Sequence, residues 1–214
     1  MPVLYYLRKH QMRGGMADKS DLFHDILNIP RIFLFMRGIL DGGQMRYLKR
    51  LIEEYGVTSI LDVACGCGVA SRIAPGKYLG IDYNPSFISY CNRNYKDESK
   101  TFMVMDASRL DLTDRFDAAI IINSIHHFSD PEVVEILSSM RRSAERLVII
   151  HDAVPQRNPV SGILYRLDRG KHFRTVRQQQ ELAVRAGLRV QDTRFFRTFP
   201  GVYLHSTMAC SVEG

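Results

Sequence analysis

Three aspartates close or nearly close short apolar runs: Asp62 in "SILDVAC", Asp82 in "KYLGID" and Asp106 in "TFMVMDA". Between the first two, Ala64, Cys65, Gly66, Cys67 and Gly68 keep side chains small, as a backbone that a ligand must approach closely requires. A carboxylate at a strand end accepts hydrogen bonds from both hydroxyls of a ribose, and another accepts from an exocyclic amine such as that of adenine. So much negative charge repels a pyrophosphate but tolerates a cationic sulfonium. The pattern therefore describes a nucleoside better than a dinucleotide. Taken alone, Gly66-x-Gly68-x-x-Ser71 is a weak dinucleotide fingerprint, because its third glycine is replaced.

Other chemistry is carried by His126, His127 and His151, each at or just past a strand end, where a histidine suits general-base work. One of the adjacent pair must point into the fold, and His126 is the better candidate base. Each choice has a plainer structural rival. Asp82 could cap the helix that begins near Pro85, the two glycines could serve only a turn, and Asn123 could satisfy nearby backbone groups. Tyr83 could stack on a ligand or cover the sheet edge, and Cys65 and Cys67 could simply be small residues in a crowded turn.

These residues need a scaffold that brings strand ends together. Strand and helix signals alternate along the chain. "QMRYLKRLIEEY" places Met45, Leu48, Ile52 and Tyr55 on one helical face, and Gly56 follows as a stop. A strand holds Asp62, a short helix falls near 69–74, a strand ends at Asp82, a helix runs from about Pro85 to Tyr95, and a strand ends near Asp106. "FDAAIII" is a continuous apolar run of the kind a parallel strand covered on both faces shows. Ser129-Asp130-Pro131-Glu132 reads as a helix start, "RLVIIHD" as another buried strand, and Thr175 with Gln178 as the opening of a last helix that Gly187 closes. Two β-rich runs around Pro200-Gly201 complete the chain as a hairpin. The expected fold is α/β: a Rossmann-like, doubly wound sheet, mostly parallel, with an antiparallel C-terminal hairpin strand and helices on both faces. Such sheets bind ligands at the carboxyl ends of their strands, beside the point where strand order reverses.

Bulk composition fits one globular domain. The chain has 214 residues, 45% of them apolar and 24% charged, with a net charge of +6. The basic residues are scattered and not interleaved with a nucleic-acid motif, so the charge reads as a solubility device and a nucleic-acid partner is disfavoured. The longest apolar patch, Ile29 to Leu40, is broken by Arg31 and Arg37 and is shorter than the roughly 20 residues of a bilayer span. Reduced thiols, no metal site and a cytoplasmic setting are expected; nothing in the sequence fixes the oligomeric state.

Taken together, "ILDVACGCG", "YLGIDYNP", "FMVMDAS" and "FDAAIIINSIHHFSDP" resemble the successive motifs of class I S-adenosylmethionine-dependent methyltransferases, within the broad group that includes quinone-biosynthesis C-methyltransferases. The resemblance covers roughly residues 45–152. It implies S-adenosylmethionine as cofactor and S-adenosylhomocysteine as product. It further implies that Ala64, Gly66 and Gly68 shape the loop beside the methionine and ribose, that Asp62 organises that loop, and that Asp82 holds the ribose hydroxyls; Cys65, between them, is a further cofactor-side candidate. Asp106 and Ala107 would meet the adenine edge, and Asn123 would face the methionine end; Tyr83, after Asp82, is a further cofactor-side candidate. The family's usual glycine is replaced here by Ala64, which tolerates a positive φ poorly, so a slight shift of the loop is expected.

Absences narrow the acceptor. Relatives that methylate exocyclic amines of bases carry Asn or Asp followed by Pro-Pro and an aromatic residue, whereas this chain reads Asn123-Ser124-Ile125-His126. No cysteine follows the fourth or fifth strand until Cys210, which disfavours a 5-methylcytosine route. What remains is oxygen, nitrogen or carbon on a small molecule. Residues 1–43 are expected to form a helical lid ahead of a cofactor-binding domain spanning 44–214, with 153–174 as an acceptor-side insertion. In this reading Arg166, Arg169 or Arg174 meets an acidic group of the acceptor, while a solvated charged face is the plainer alternative. Two rival classes stay open: a nicotinamide-dependent oxidoreductase, and a nucleoside-cofactor-binding protein without catalysis.

Overall fold

The computed structural model describes residues 43–110, 112–156, 171–198 and 204–213, together with Pro30 and Leu34. The apolar runs become strands β1 (Ile60–Val63), β2 (Tyr78–Asp82), β3 (Lys100–Val104), β4 (Phe116–Ile122), β5 (Ala144–Val154), β6 (Arg189–Arg197) and β7 (Leu204–Ser211). They form a single sheet in the order β3-β2-β1-β4-β5-β7-β6. The first five are mutually parallel, and β7 lies antiparallel between β5 and β6. The expected C-terminal hairpin is therefore present; its Pro200-Gly201 turn lies outside the described residues.

Strand order reverses at β1, which has β2 on one side and β4 on the other. Val63 is level with Ile81 on one neighbour and with Ile121 on the other. Both faces of this region are covered. Alternation along β1 sends Leu61 and Val63 to the face packed by Val133, Ile136, Leu137 and Met140 of α3 (Asp130–Ser143) and by Leu182 of α4 (Val176–Arg185). Ile60 goes to the opposite face with Leu48, Leu51 and Ile52 of α1 (Gln44–Glu54) and Ile88 of α2 (Pro85–Asn94). At about 1.5–3 kcal/mol for each fully buried aliphatic side chain, this two-sided burial dominates the stabilisation of the central strands and fixes their register.

Helix ends follow their sequence signals. Asn84 caps α2 by accepting the Ser86 N–H at 2.9 Å, and Pro85 occupies the first turn. At α3 the Glu132 carboxylate accepts from the Ser129 N–H and hydroxyl, and Thr175 and Gln178 form the same reciprocal arrangement at α4. No helix among the described residues is long and apolar enough to cross a membrane. Cys65, Cys67, Cys91 and Cys210 are all free thiols. Apart from Pro30, Leu34 and Gly43, the residues expected to form the N-terminal lid lie outside the described set, as does most of the 153–174 insertion, Arg166 and Arg169 included.

Candidate functional site

The chain leaving β1 must turn at once. Ala64 adopts φ 58°, Gly66 φ 56° and Gly68 φ 69°, all in the left-handed region. Gly68 is required on a second count: a Cβ there would lie 2.8 Å from the Phe102 ring and 2.9 Å from the Cys91 sulfur. Among the described residues, Ala64 and Asn123 are the non-glycine residues with positive φ. They sit at the ends of the adjacent strands β1 and β4, where the sheet reverses order. Strained backbone of this kind collects at ligand sites. Asparagine tolerates the conformation through its own local hydrogen bonding; alanine does not, so Ala64 carries roughly 1 kcal/mol of strain.

Asp82 is almost wholly buried and anchors this loop. Its Oδ2 accepts the Gly66 N–H at 2.8 Å and its Oδ1 accepts the Asn84 N–H at 2.9 Å. Helix capping belongs to Asn84, so the capping alternative for Asp82 falls. A carboxylate has about four lone-pair sites, and two are used, which leaves one on each oxygen, the number a ribose diol needs. Burial raises the Asp82 pKa above the usual carboxylate range, opposed by the two backbone hydrogen bonds. Beneath the loop, the 2%-exposed Asp62 accepts the Tyr78 hydroxyl at 2.6 Å. Burial, with the Asp62 charge adding to it, pushes the Tyr78 phenol well up, so it stays a donor. Cys65 and Cys91 both donate to the Gly66 carbonyl, at 3.7 and 3.5 Å. Contact with Cys91 and burial hold the Cys65 thiol well above its ordinary pKa, with the nearby aspartates contributing. The cysteines are packed thiols of a crowded turn.

Asp106 is exposed and uses Oδ1 on the N–H and hydroxyl of Ser108, which opens a short turn containing the buried Ala107. Tyr83 is 55% exposed beside Asp82. Asn123 pairs its carboxamide with that of Gln44. Across the strand order β3-β2-β1-β4, the residues Asp106, Asp82, the glycine loop and Asn123 lie in one line. With about 4.8 Å per strand, that line is about 14 Å long and accommodates a nucleoside with an amino-acid-sized tail.

Of the histidines, His127 is exposed while His126 is 4% exposed and rigidly held. Asp152 accepts the His126 N–H at 2.9 Å and the Ala153 N–H at 2.8 Å, and its Oδ1 lies 2.5 Å from the imidazole Nδ1. A carboxylate already accepting two backbone N–H groups makes Nδ1 the protonated nitrogen, so the lone pair is on Nε2. Phe173 stacks on the ring at 4.8 Å. Arg174, expected to meet an acidic acceptor, is instead a clamp. It donates to Asp130 and to the carbonyls of Ile125, His172 and Phe128, which commits its whole guanidinium. The side chains that the sequence did not single out are Gln44, Tyr78 and Asp152. Each had one signal, a polar group within an otherwise apolar helix face or strand.

Residues 60–146 match the family model described as a methyltransferase domain. No curated protein matches the chain. Among solved structures, magnesium protoporphyrin IX methyltransferase from Synechocystis with bound S-adenosylhomocysteine is 14% identical and aligns over 97% of this chain and 94% of its own, with a TM-score of 0.63. Human N-acetylserotonin methyltransferase in complex with S-adenosylmethionine is 14% identical over 98% of this chain and 65% of its own, with a TM-score of 0.70. The [4+2]-cyclase SpnF is 19% identical over 77% of this chain and 80% of its own, with a TM-score of 0.61. The sheet and its flanking helices are thus shared with proteins of differing reactions.

Two outcomes follow from the loop. Ala64→Gly relieves about 1 kcal/mol of backbone strain and returns about 0.5 kcal/mol as unfolded-chain entropy, so the midpoint of thermal unfolding should rise by about 1–2 °C. A fall would show that Ala64 is not strained. Affinity for S-adenosylhomocysteine, measured calorimetrically, should be full when Asp82 is ionised and decline as pH falls through its raised pKa. The decline then begins at higher pH than an exposed aspartate would produce, and a curve flat down to the ordinary carboxylate range would contradict the assignment.

Proposed function

We propose that this chain, whose residues 60–146 match a methyltransferase domain, is a class I S-adenosylmethionine-dependent methyltransferase that moves a methyl group to an oxygen, nitrogen or carbon of a small-molecule acceptor by in-line displacement. The observation that carries this reading is the row of strand-end groups, Asp106, Asp82, the Ala64 to Gly68 loop and Asn123, laid across the point where the sheet reverses. S-adenosylmethionine, when bound, supplies an electrophilic methyl on a sulfonium. Asp82 accepts the ribose hydroxyls with its two remaining lone pairs, and Asp106 with Ala107 borders the adenine edge while Tyr83 stacks beside it. Gly66 and Gly68 keep the loop backbone close, and Asn123 faces the amino-acid end. No enzyme nucleophile is needed, since holding donor and acceptor near contact supplies much of the acceleration.

Where the acceptor must lose a proton, as a phenol or an activated carbon must, His126 is the general base. Asp152 fixes its tautomer, and Phe173 with the Arg174 clamp fixes its plane. The four free thiols support a reducing compartment, the cytoplasm, as the setting.

Titration with S-adenosylhomocysteine and NAD decides the cofactor: binding of the first and not the second is expected, with Asp82→Ala weakening it at least about tenfold. Affinity for NAD alone would overturn the reading in favour of an oxidoreductase. For the base, acceptors are screened with labelled methyl donor. With a phenolic acceptor so identified, Asp152→Asn should lower kcat by about 10²-fold while leaving affinity for S-adenosylhomocysteine unchanged. An unchanged kcat would remove His126 from the mechanism.

A further inference from the structure

Gln44, the first residue of α1, is 2% exposed although its carboxamide lies on the helix face that carries Leu48, Leu51 and Ile52. A buried amide is costly unless satisfied, and both ends of this one are hydrogen-bonded. Its Oε1 accepts the Asn123 Nδ2–H at 3.1 Å, and its Nε2 donates to Asn123 Oδ1 at 3.3 Å and to His151 Nε2 at 2.5 Å. With Nε2 of His151 accepting, the ring hydrogen is on Nδ1, where Thr207 Oγ1 accepts it at 2.7 Å. His151 has no exposed surface and lies stacked on His205 at 4.8 Å between ring centres. A continuous line of hydrogen bonds thus runs from Thr207 on β7 through His151 on β5 and Gln44 on α1 to Asn123 at the end of β4.

The line determines what Asn123 presents outward. A primary carboxamide has two N–H donors and two acceptor lone pairs. Gln44 takes one of each, which leaves one donor and one acceptor. That remainder is complementary to a group bearing both a carboxylate and an ammonium. Turning the Gln44 amide over requires Asn123 to turn with it, His151 to carry its ring hydrogen on Nε2 and Thr207 to donate instead of accept, so the line ties the orientation of Asn123 to that of all its partners at once.

We propose that Gln44 is a positioning residue for the amino-acid end of the cofactor, acting through Asn123 and held in turn by His151 and Thr207. This rests on S-adenosylmethionine being the cofactor. The test compares two probes on the full chain by calorimetry: S-adenosylhomocysteine, and 5′-methylthioadenosine, which keeps the adenosine and sulfur but lacks the amino-acid end. Gln44→Met preserves side-chain volume and removes the amide. It should weaken S-adenosylhomocysteine about tenfold and leave 5′-methylthioadenosine within about twofold. Thr207→Val, remote from the ligand and of similar shape, should weaken S-adenosylhomocysteine about threefold with 5′-methylthioadenosine unchanged, and it carries the test if Gln44→Met does not fold. Equal losses for both probes would mean a merely structural role and overturn the inference, as would no loss for either. If the wild-type chain binds the two probes equally well, the cofactor reading stands and this inference falls. If it binds neither, the cofactor reading fails and takes this inference with it.

Discussion

The parallel pairing of β1 with β2 on one side and β4 on the other is the constraint from which the site follows. Because Val63 is level with both Ile81 and Ile121, the next residues, Ala64, Asp82 and Ile122, emerge together at one edge of the sheet. A slip of one residue would exchange the two faces of a strand buried on both sides and turn Asp82 away from the loop. The apolar contacts of α1 and α3 with this strand therefore hold the geometry of groups they never touch. Crowding then dictates the loop: with Phe102 and Cys91 packed against Gly68, the chain has room only for backbone, which is also what a closely held nucleoside requires.

In the proposed site, Asp82 joins folding to binding in one carboxylate. It organises the β1 loop through Gly66 and the approach to α2 through Asn84, and still keeps acceptor capacity on both oxygens. Burial makes its charge costly. A ligand that donates two hydroxyl hydrogens satisfies that charge, so the site is better satisfied occupied than empty.

The sequence made strands and their polar ends legible because continuous apolar runs are short, bounded by glycine or proline, and end on chemistry-bearing residues. The positions of Asp82, Asp106 and Asn123 could be read for that reason, whereas Asp62 lies inside β1 and is taken up by the Tyr78 hydroxyl. What could not be read were pairings between distant segments. Gln44 meets Asn123 from 79 positions away, and Asp152 meets His126 across 26. Local patterning shows only that a polar residue stands among apolar ones; it does not name its partner. Arg174 shows the reverse error. A cation in an aromatic-rich segment suggested an anionic ligand, whereas its acceptors are the Asp130 carboxylate and the carbonyls of Ile125, Phe128 and His172, a set that no sequence pattern displays.

His151 and Asp152, adjacent at the end of β5, explain how one strand serves both halves of the proposed reaction. Neighbouring residues of a strand face opposite sides of the sheet. His151 points toward α1 and, through Gln44, orients Asn123; Asp152 points to the other face and orients His126. Both are buried, so each must be fully hydrogen-bonded, and replacing either alone leaves an unsatisfied group in a medium where that is expensive. Substitution in either network is therefore tolerated chiefly when the partners change with it. The two networks meet at the β5 backbone and again in the turn after β4, which carries both Asn123 and His126 and whose Asn123 N–H donates to the His151 carbonyl at 2.7 Å, so the residues proposed to set the cofactor tail and those proposed to set the base are coupled through short stretches of backbone. A change of base or of tail contact therefore has to be made in side chains while these two stretches of backbone keep their course, as a fold shared by proteins of differing reactions keeps its sheet.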